Sequence, residues 1–461
     1  MPRLVFVSVG KRELVLHYKA SKLLLEKGIE CIFVTFSKSG FEKYKSLAKV
    51  YYYEDMLKKV HVRRNDCQRM KEISSLESEY DYLSMGMLYS SDQIYNACQR
   101  LSDDVLVDKT IDSFNFWKLF LRNEKIDYLF TGSGAELIRR TSILVAKHLN
   151  ICPIVTFLSP FKGEITFLDN ELADLKIDLE KSVRISTKER KKIIDYINSI
   201  KKSKTDFLRL NEFKFSKKKL MTFFSLIKKI VFCTKELETM QPIQNIVYRL
   251  GTFIRKRIEP LYFEKYDKTE KYIFFPLHVI FDSQVSVRAP HFRDQFKTVQ
   301  LLADSIPYGY KLYVREHPFL RGARPLSFFR KINKLRNVRL ISPQIHPHVV
   351  ISNAQAIATI NSTTGFEGLI FGKPVVTFSH SIYRGLGLTY DVSDPFYTPW
   401  VISKALRGGA PSLDKMVKYL YLAKRVSYPC AFPSMDCSDK NAKAYCDAIC
   451  DHVKKLQSYE I

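Results

Sequence analysis

Two runs of alternating strand and helix patterns, separated by a strongly basic stretch, limit what this chain can fold into more than any other feature. The first run contains four short apolar segments of the kind found in buried parallel strands: Leu4–Val9, Cys31–Thr35, Tyr128–Thr131 and Ile151–Phe157. The second run contains four more: Tyr272–Pro276, Tyr310–Arg315, Ala356–Ile360 and Val375–Phe378. Helical periodicity between the strands predicts open parallel sheets with helices on both faces.

Length and pattern together predict the domain organisation. A chain of 461 residues is too long for one ordinary core. We therefore predict an α/β fold with two Rossmann-like, doubly wound domains that face a cleft. Residues 1–169 would form an N-terminal Rossmann-like domain, 170–270 a basic helical insertion or linker, 271–410 a C-terminal Rossmann-like domain, and 411–461 helices that pack back on the N-terminal domain.

The formal net charge of +26 is concentrated in the middle of the chain. Residues 181–260 hold 21 Lys/Arg against 7 Asp/Glu. Such a patch suits anionic lipid headgroups, a polyanionic acceptor or nucleic acid, and a solvated basic face is the alternative. Within it, Phe213–Phe232 has an apolar stripe with basic flanks, as in interfacial helices, although a helical linker would show the same pattern.

Targeting and redox signals favour a cytoplasmic protein. The opening residues lack the long apolar stretch and cleavage site of a signal peptide, and no window holds 18 uninterrupted apolar residues. The nine cysteines are scattered, which predicts reduced thiols. No DxD-like pair follows a predicted strand, so we expect no catalytic metal and no cofactor.

Polar residues follow two predicted strands of the second run, where open parallel sheets bind ligands. After Tyr310–Arg315 come Glu316, His317 and Pro318, and Pro318 restricts His317 to an extended backbone. A histidine here can donate to a phosphate oxygen or a ribose hydroxyl, although most His-Pro pairs are ordinary turns.

The loop after Ala356–Ile360 indicates an anion site more strongly. It reads Asn361-Ser362-Thr363-Thr364-Gly365 and leads into a helix that carries Glu367. Free backbone N–H groups and the helix dipole favour an anion at such a position. Glu367 could accept from ribose hydroxyls, and an ordinary capping arrangement is the alternative. Asp282, after the strand Tyr272–Pro276, could contact a ligand or cap the next helix.

Four sequence blocks resemble the capsule polysaccharide biosynthesis family, which includes bacterial capsular Kdo transferases. They are PLHVIFDSQ (Pro276–Gln284), REHP (Arg315–Pro318), INSTTGFEGLIFGKPVVTF (Ile360–Phe378) and IYRGLGLTY (Ile382–Tyr390). Their order and spacing agree with the family over roughly Tyr272 to Tyr390. Two residues depart from the family pattern, since His278 stands in place of glutamine and Gly368 in place of alanine.

The resemblance implies a GT-B fold with a nucleotide-sugar donor held by the C-terminal domain 271–410, which leaves 1–169 as the acceptor domain. We expect a metal-independent, inverting glycosyltransferase of capsular or surface polysaccharide. By this resemblance His317 is the donor-phosphate histidine, Ser362, Thr363 and Thr364 form a phosphate loop, and Glu367 is the acid that follows. The resemblance favours a CMP-activated sugar such as Kdo over a UDP-sugar. The acceptor would be a lipid-linked or other glycan at the inner membrane face, with residues 181–260 on the anionic membrane surface and no nucleic acid partner.

The acceptor hydroxyl needs a catalytic base, and the N-terminal run offers three candidates. They are Glu136, Glu164 and Asp169, and each could equally be a helix cap or a solvated surface acid. Three other functions fit parts of the sequence. These are a teichoic-acid-like glycerophosphotransferase with a CDP-linked donor, a non-hydrolysing sugar-nucleotide epimerase, and a non-enzymatic basic adaptor.

Overall fold

The computed structural model describes residues 1–80, 84–202, 242–279, 282–433 and 435–459. The predicted interfacial helix Phe213–Phe232 lies outside these residues, as does part of the basic patch 181–260. The described residues divide into two compact units. The first comprises residues 1–173 and 426–459, and the second comprises 174–202 and 242–425.

The first unit is built on a seven-stranded sheet in the order β13-β6-β5-β4-β1-β2-β3. Its strands are β1 (Arg3–Ser8), β2 (Glu30–Thr35), β3 (Val50–Tyr52), β4 (Tyr128–Gly132), β5 (Cys152–Leu158), β6 (Ile165–Leu168) and β13 (Ser427–Tyr428). Its helices are α1 (Lys11–Glu26), α2 (Lys38–Tyr44), α3 (Tyr53–Val60), α4 (Asp66–Glu79), α5 (Met85–Ser90), α6 (Asp103–Asn123), α7 (Leu137–His148) and α17 (Asp439–Tyr459), with a π-helical turn at Gln93–Cys98.

The second unit is built on a six-stranded parallel sheet in the order β12-β11-β10-β7-β8-β9. Its strands are β7 (Tyr272–Pro276), β8 (Lys311–Arg315), β9 (Val338–Ile341), β10 (Ala356–Thr359), β11 (Val375–Thr377) and β12 (Tyr390–Asp391). Its helices are α8 (Thr187–Lys202), α9 (Pro242–Ile258), α10 (Ser283–Ser286), α11 (Gln295–Ser305), α12 (Leu326–Ile332), α13 (Pro347–Asn353), α14 (Thr363–Ile370), α15 (Thr398–Gly408) and α16 (Leu413–Arg425).

Both sheets confirm the predicted α/β class, and both have the doubly wound strand order. In each sheet, the second and third strands in chain order lie on one side of the first strand, and the fourth strand pairs with the first on its other side. The crossover direction therefore reverses between β1 and β4 in the first unit, and between β7 and β10 in the second. Open α/β sheets bind ligands beyond the carboxyl ends of the strands at such a reversal point.

Two features of the sheets and helices differ from the sequence prediction. The edge of the first sheet is antiparallel, because the chain after β5 makes a tight hairpin into β6, with Leu158 opposite Ile165. The return to the first unit begins at Val426 and not at residue 411. The reason is that α16 packs against α8 within the second unit, whereas β13 pairs with β6 and α17 packs against α1.

Within the described residues, no helix combines the length and the apolar character needed to cross a bilayer. The strand patterns that predicted parallel sheets correspond to buried segments: all five residues of β7 and all but the first of β1 are buried. Hydrophobic burial of this kind is the dominant favourable contribution to folding.

Candidate active site

The reversal point of the second unit brings three predicted loops together. His278 follows β7, and its Nε2 accepts a hydrogen bond from the backbone N–H of Asn361, after β10, at 3.4 Å. The side-chain amide of Asn361 donates to the carbonyl of Gln284 at 2.7 Å, which joins the same two segments a second time. The loops after β7 and β10 are therefore in direct contact beside the N-terminus of α14.

His278 is a neutral structural element of this junction. The imidazole is buried, and burial lowers the pKa of His278 to about 3, with a further contribution from the nearby His317. Its carbonyl accepts hydrogen bonds from the Arg324 guanidinium at 2.7 Å and from the Gln295 amide at 3.1 Å. The sequence identified His278 only as a departure from the family pattern.

The loop after β8 rests on a buried ion pair. Glu316 is fully buried, and its carboxylate accepts from Arg324 Nε at 2.5 Å and from the backbone N–H of His317 at 2.7 Å. This corrects the predicted donor-binding role of Glu316, because a carboxylate with no exposed surface supports the loop from beneath. His317 itself is half-buried and precedes a short 3-10 turn at Pro318–Leu320.

The loop after β10 forms the N-terminus of α14. Ser362 caps the helix, because its hydroxyl accepts from the backbone N–H of Thr364 at 2.9 Å. Ser362, Thr363 and Thr364 are all half-buried. The first turn of α14 contains no acidic residue. A helix N-terminus without its own carboxylate is suited to bind an anion.

Gly365 and Glu367 serve packing within the second unit. A Cβ at position 365 would lie 2.3 Å from the Tyr383 hydroxyl, which donates to the carbonyl of Ser362 at 2.6 Å. The absence of a side chain at Gly365 thus leaves room for the side chain of Tyr383. Glu367 is 4% exposed and lies 3.7 Å from His348 Nε2 on α13, so its predicted contact with ribose is also corrected.

Asp282 caps the short helix α10. Its carboxylate accepts from the backbone N–H of Gln284 at 3.0 Å, so the alternative of a helix cap holds. Desolvation lowers the pKa of Arg288, and the negative charges of Asp282 and Asp174 oppose that effect. Neither Arg288 nor Tyr383 was a predicted site residue, although Tyr383 lies in the fourth family-like block.

The reversal point of the first unit holds one of the three predicted bases. Glu136 precedes α7, and its carboxylate lies 3.6 Å from Arg139 Nε. Arg139 also pairs with Glu13, which follows β1, at 2.7 Å. Glu13 in turn accepts from the backbone N–H of Val9 at 2.9 Å. This cluster joins the segments after β1 and β4 through one guanidinium, and the Glu136 carboxylate is one of its two ion-pair partners.

An internal carboxylate occupies the N-terminus of α7. Asp92 is buried, and its Oδ2 accepts from the backbone N–H of Leu137, the first residue of the helix, at 2.5 Å. Burial raises the pKa of Asp92 to about 7, against the effect of three backbone hydrogen bonds to it. In the first unit the protein itself fills the position that would otherwise suit a ligand anion.

The other two predicted bases lie apart from this reversal point. Glu164 ends the turn between β5 and β6, where its carbonyl accepts from the backbone N–H of Ser159. Asp169 follows the antiparallel strand β6, in which Leu168 pairs with Val155. Asp169 is therefore level with Ile154, roughly 13 Å back from the carboxyl end of β5 at about 3.3 Å per residue. This position argues against Asp169 as the base.

Among the residues that the structure describes, no group of three His, Cys, Asp or Glu side chains is arranged to hold a metal ion. The chemistry available at the second reversal point is thus a helix N-terminus, hydroxyl donors and imidazoles. Helix N-termini and such donors bind phosphates.

Several known proteins are similar to part of this chain. Residues 233–401 match a family model described as capsule polysaccharide biosynthesis protein. Protein FixF of Sinorhizobium fredii is 29% identical over 141 residues, which is 29% of this chain and 33% of FixF. Capsule polysaccharide modification protein LipB of Neisseria meningitidis is 28% identical over 160 residues, 32% of this chain and 36% of LipB. The chain spans about a third of the length of these curated relatives.

A solved structure, the beta Kdo 2,7 transferase of Thermosulfurimonas dismutans KpsC, aligns with a TM-score of 0.38 and 12% identity, over 76% of this chain and 96% of that one.

Proposed function

We propose that this chain is a glycosyltransferase that uses a nucleotide-sugar donor. Its residues 233–401 match the model of the capsule polysaccharide biosynthesis family. The observation that carries the proposal is the contact between His278 and Asn361 across the reversal point, beside a helix N-terminus without its own carboxylate. Nucleotide phosphates bind at this position in open α/β sheets. The donor that we favour is a CMP-activated sugar such as Kdo, and the acceptor a lipid-linked or other glycan.

The residues of the site divide into donor contacts and supports. We assign Ser362, Thr363 and Thr364 to the donor phosphate, because their backbone N–H groups and hydroxyls lie at the start of α14. His317 would donate to the departing phosphate from the neighbouring loop. Glu316 and Arg324 hold that loop in place and do not touch the donor. No metal is required, because imidazole and backbone dipoles can stabilise the departing charge.

A thermal-shift panel with CMP, UDP, GDP and CDP-glycerol tests the proposal. We expect CMP to raise the melting temperature of the wild-type protein, since a ligand at 100 times its dissociation constant stabilises by about 2.7 kcal/mol. His317→Ala should weaken the response. His346→Ala is the matched control, because His346 also precedes a proline but lies after the edge strand β9.

The outcomes of the panel separate the candidate functions. A flat response to all four nucleotides would refute a nucleotide-dependent transferase. Selective stabilisation by CDP-glycerol, with a product whose mass includes an added phosphate, would instead establish a glycerophosphotransferase. Conversion of a nucleotide sugar without an acceptor would establish an epimerase.

The exposed face of α9 supports peripheral membrane binding as part of this proposal. Leu250, Phe253 and Ile254 are 58%, 56% and 55% exposed, and Arg257 lies over the ring of Phe253 at 4.3 Å. Exposed apolar residues interleaved with cations are typical of interfacial helices at anionic bilayers. We expect co-sedimentation with phosphatidylglycerol vesicles that weakens with salt and is lost in a Phe253→Ser/Ile254→Ser variant. Salt-independent binding would contradict it.

A further inference from the structure

Three aromatic side chains cluster on the surface of the second unit. Phe396, Tyr397 and Trp400 are 69%, 54% and 59% exposed. Their ring centroids lie 5.3 Å apart for Phe396 and Tyr397, 5.7 Å for Phe396 and Trp400, and 5.9 Å for Tyr397 and Trp400. Soluble proteins rarely leave adjoining large apolar side chains exposed, and such patches mark ligand or partner sites. None of the three was a predicted site residue.

The local fold presents these rings in a fixed arrangement. Asp394 caps the 3-10 turn Pro395–Tyr397, because its carboxylate accepts from the backbone N–H of Phe396 at 2.8 Å. The buried Thr398 then begins α15, and its hydroxyl donates to the carbonyl of Pro395 at 2.6 Å. Residues three and four apart share one face of a helical segment, which brings the three rings together. Because the rings already contact one another, they lose little conformational entropy when a ligand binds.

The aromatic cluster lies at the edge of the sheet that carries the proposed donor loop. The strands β10, β11 and β12 are parallel neighbours, so their carboxyl ends meet at one edge. A short loop leads from Asp391, the last residue of β12, to the turn that carries Phe396. The strand β12 is two positions from β10, which is about 10 Å at the usual strand spacing. An oligosaccharide held on the rings can therefore extend toward the N-terminus of α14.

Charge distinguishes the aromatic cluster from the exposed face of α9. The only charged residues in 391–403 are two acids, Asp391 and Asp394, whereas the last turn of α9 holds three cations. These carboxylates repel an anionic bilayer or an acidic sugar. A carboxylate also accepts hydrogen bonds from hydroxyl groups at both of its oxygens. The charges thus favour an uncharged ligand that is rich in hydroxyls.

The size of the cluster also argues for a ligand the size of one ring. A large aromatic side chain buries about 150–250 Å² when it is fully covered. The three side chains are already partly covered by the protein, so together they offer less than the roughly 800 Å² per partner of a stable protein interface. A pyranose ring has faces built from C–H groups and a rim of hydroxyls. It therefore matches aromatic faces that lie beside a carboxylate.

We propose that Phe396, Tyr397 and Trp400 form a platform on which an uncharged sugar ring of the glycan acceptor stacks, and that Asp394 accepts from the hydroxyls of that sugar. The inference rests on the proposed function, because the acceptor is the glycan that receives the donor sugar at this edge of the sheet. The platform contributes affinity and selects among acceptors. It takes no part in the chemical step.

Tryptophan fluorescence of the full-length protein tests the platform directly. The chain contains two tryptophans, and Trp117 is fully buried, so acrylamide quenches mainly Trp400. The probes are the uncharged glycans maltotetraose, cellotetraose and chitotetraose, with tetragalacturonate as the acidic counterpart. We expect at least one uncharged probe to protect Trp400 from quenching in a saturable manner. Tetragalacturonate should give no protection.

Two variants and a matched control assign this binding to the platform. Phe396→Ala and Tyr397→Ala should each raise the Kd of the protecting probe roughly two- to tenfold. Tyr308→Ala is the control, because Tyr308 is fully exposed but precedes β8, at the opposite edge of the sheet, and its Kd should equal that of the wild type. All three variants should keep the wild-type melting temperature and the CMP thermal shift, because the substituted side chains are exposed.

Several results would overturn the assignment. Trp400 that no uncharged probe protects, or an unchanged Kd in both platform variants, would refute the platform. Protection by phosphatidylglycerol vesicles in place of the glycans would make the cluster a membrane contact. A dimer in sedimentation that Trp400→Ala dissociates would make it a subunit contact. A wild-type protein that shows no thermal shift with any nucleotide would refute the proposed function and the acceptor role with it, while protection of Trp400 by a glycan would still establish the sugar contact.

Discussion

The two sheets have the same strand order at their reversal points, but they differ in whether polar side chains of the protein already occupy the helix N-terminus there. In the first unit Arg139 lies between Glu13 and Glu136, and Asp92 occupies the N-terminus of α7. In the second unit the buried ion pair lies beneath the loops, and the N-terminus of α14 is capped only by a serine hydroxyl. One topology thus produces a position satisfied by the protein and another that is available to a ligand phosphate.

The difference teaches that topology alone does not identify a ligand site. Both reversal points are where doubly wound sheets bind ligands. What distinguishes them is whether protein carboxylates already satisfy the positive end of the helix.

The largest effect is expected from the arginine at each reversal point, Arg324 and Arg139. Arg324→Ala leaves the fully buried Glu316 without its partner, which should lower the free energy of unfolding by about 3–5 kcal/mol. Arg139→Ala should cost less, roughly 2 kcal/mol, because the side chains of Glu13 and Glu136 keep 12% and 13% of their surface exposed, whereas that of Glu316 has none. Urea denaturation measures both. Arg339→Ala removes a more exposed pair with Glu264 and, as the control, should cost less than about 1 kcal/mol. Equal costs for Arg324 and Arg139 would remove the proposed difference between the units.

A smaller effect is expected from the glycines of the two reversal points. The methyl group of Gly365→Ala would lie 2.3 Å from the Tyr383 hydroxyl and 2.9 Å from Thr359, and should destabilise the protein by about 1–3 kcal/mol. It should also weaken the CMP thermal shift, because Tyr383 holds Ser362. Gly10→Ala meets no atom within 4 Å at a φ of −97° and should be tolerated. A Gly365→Ala protein with unchanged stability and nucleotide response would show that Tyr383 does not organise this loop.

The smallest expected effect is a loss of folding stability at acid pH, and one buried histidine in each unit contributes to it. Burial lowers the pKa of both His17 and His278 to about 3, from an ordinary value of 6.5. Because the folded-state pKa is depressed, this stabilisation is complete above pH 6.5 and is lost as the pH falls toward 3. Each histidine should therefore cost about 1.4 kcal/mol of stability at pH 5.5.

A His17→Phe variant tests this linkage in the first unit. His17 stacks on Phe6 with ring centroids 4.5 Å apart, so an aromatic ring can occupy the space. Urea denaturation at pH 7 and pH 5.5 should show a smaller loss of stability in the variant than in the wild type. An identical loss would mean that the pKa of His17 does not differ between the folded and unfolded states.

Much of the architecture was predictable from the sequence, because it follows from local pattern. Apolar runs such as Leu4–Val9 and Tyr272–Pro276 are buried on both faces, so nearly continuous hydrophobicity predicted their strands. The short strands β3, β6, β9, β12 and β13 escaped prediction. Segments of two to four residues have too little pattern of their own, and pairing with neighbouring strands decides their structure.

The sequence by itself determined the α/β class, the two sheets and the loops around His317 and Ser362. These depend on residues close together in the chain. Only the tertiary structure decided which polar residues in those loops are supports and which face outward. It buried Glu316 and Glu367, and it brought Asp174 to His380 across 206 positions of the chain. The physical reason is that burial and ion pairing depend on what packs around a side chain, and residues distant in sequence supply those neighbours.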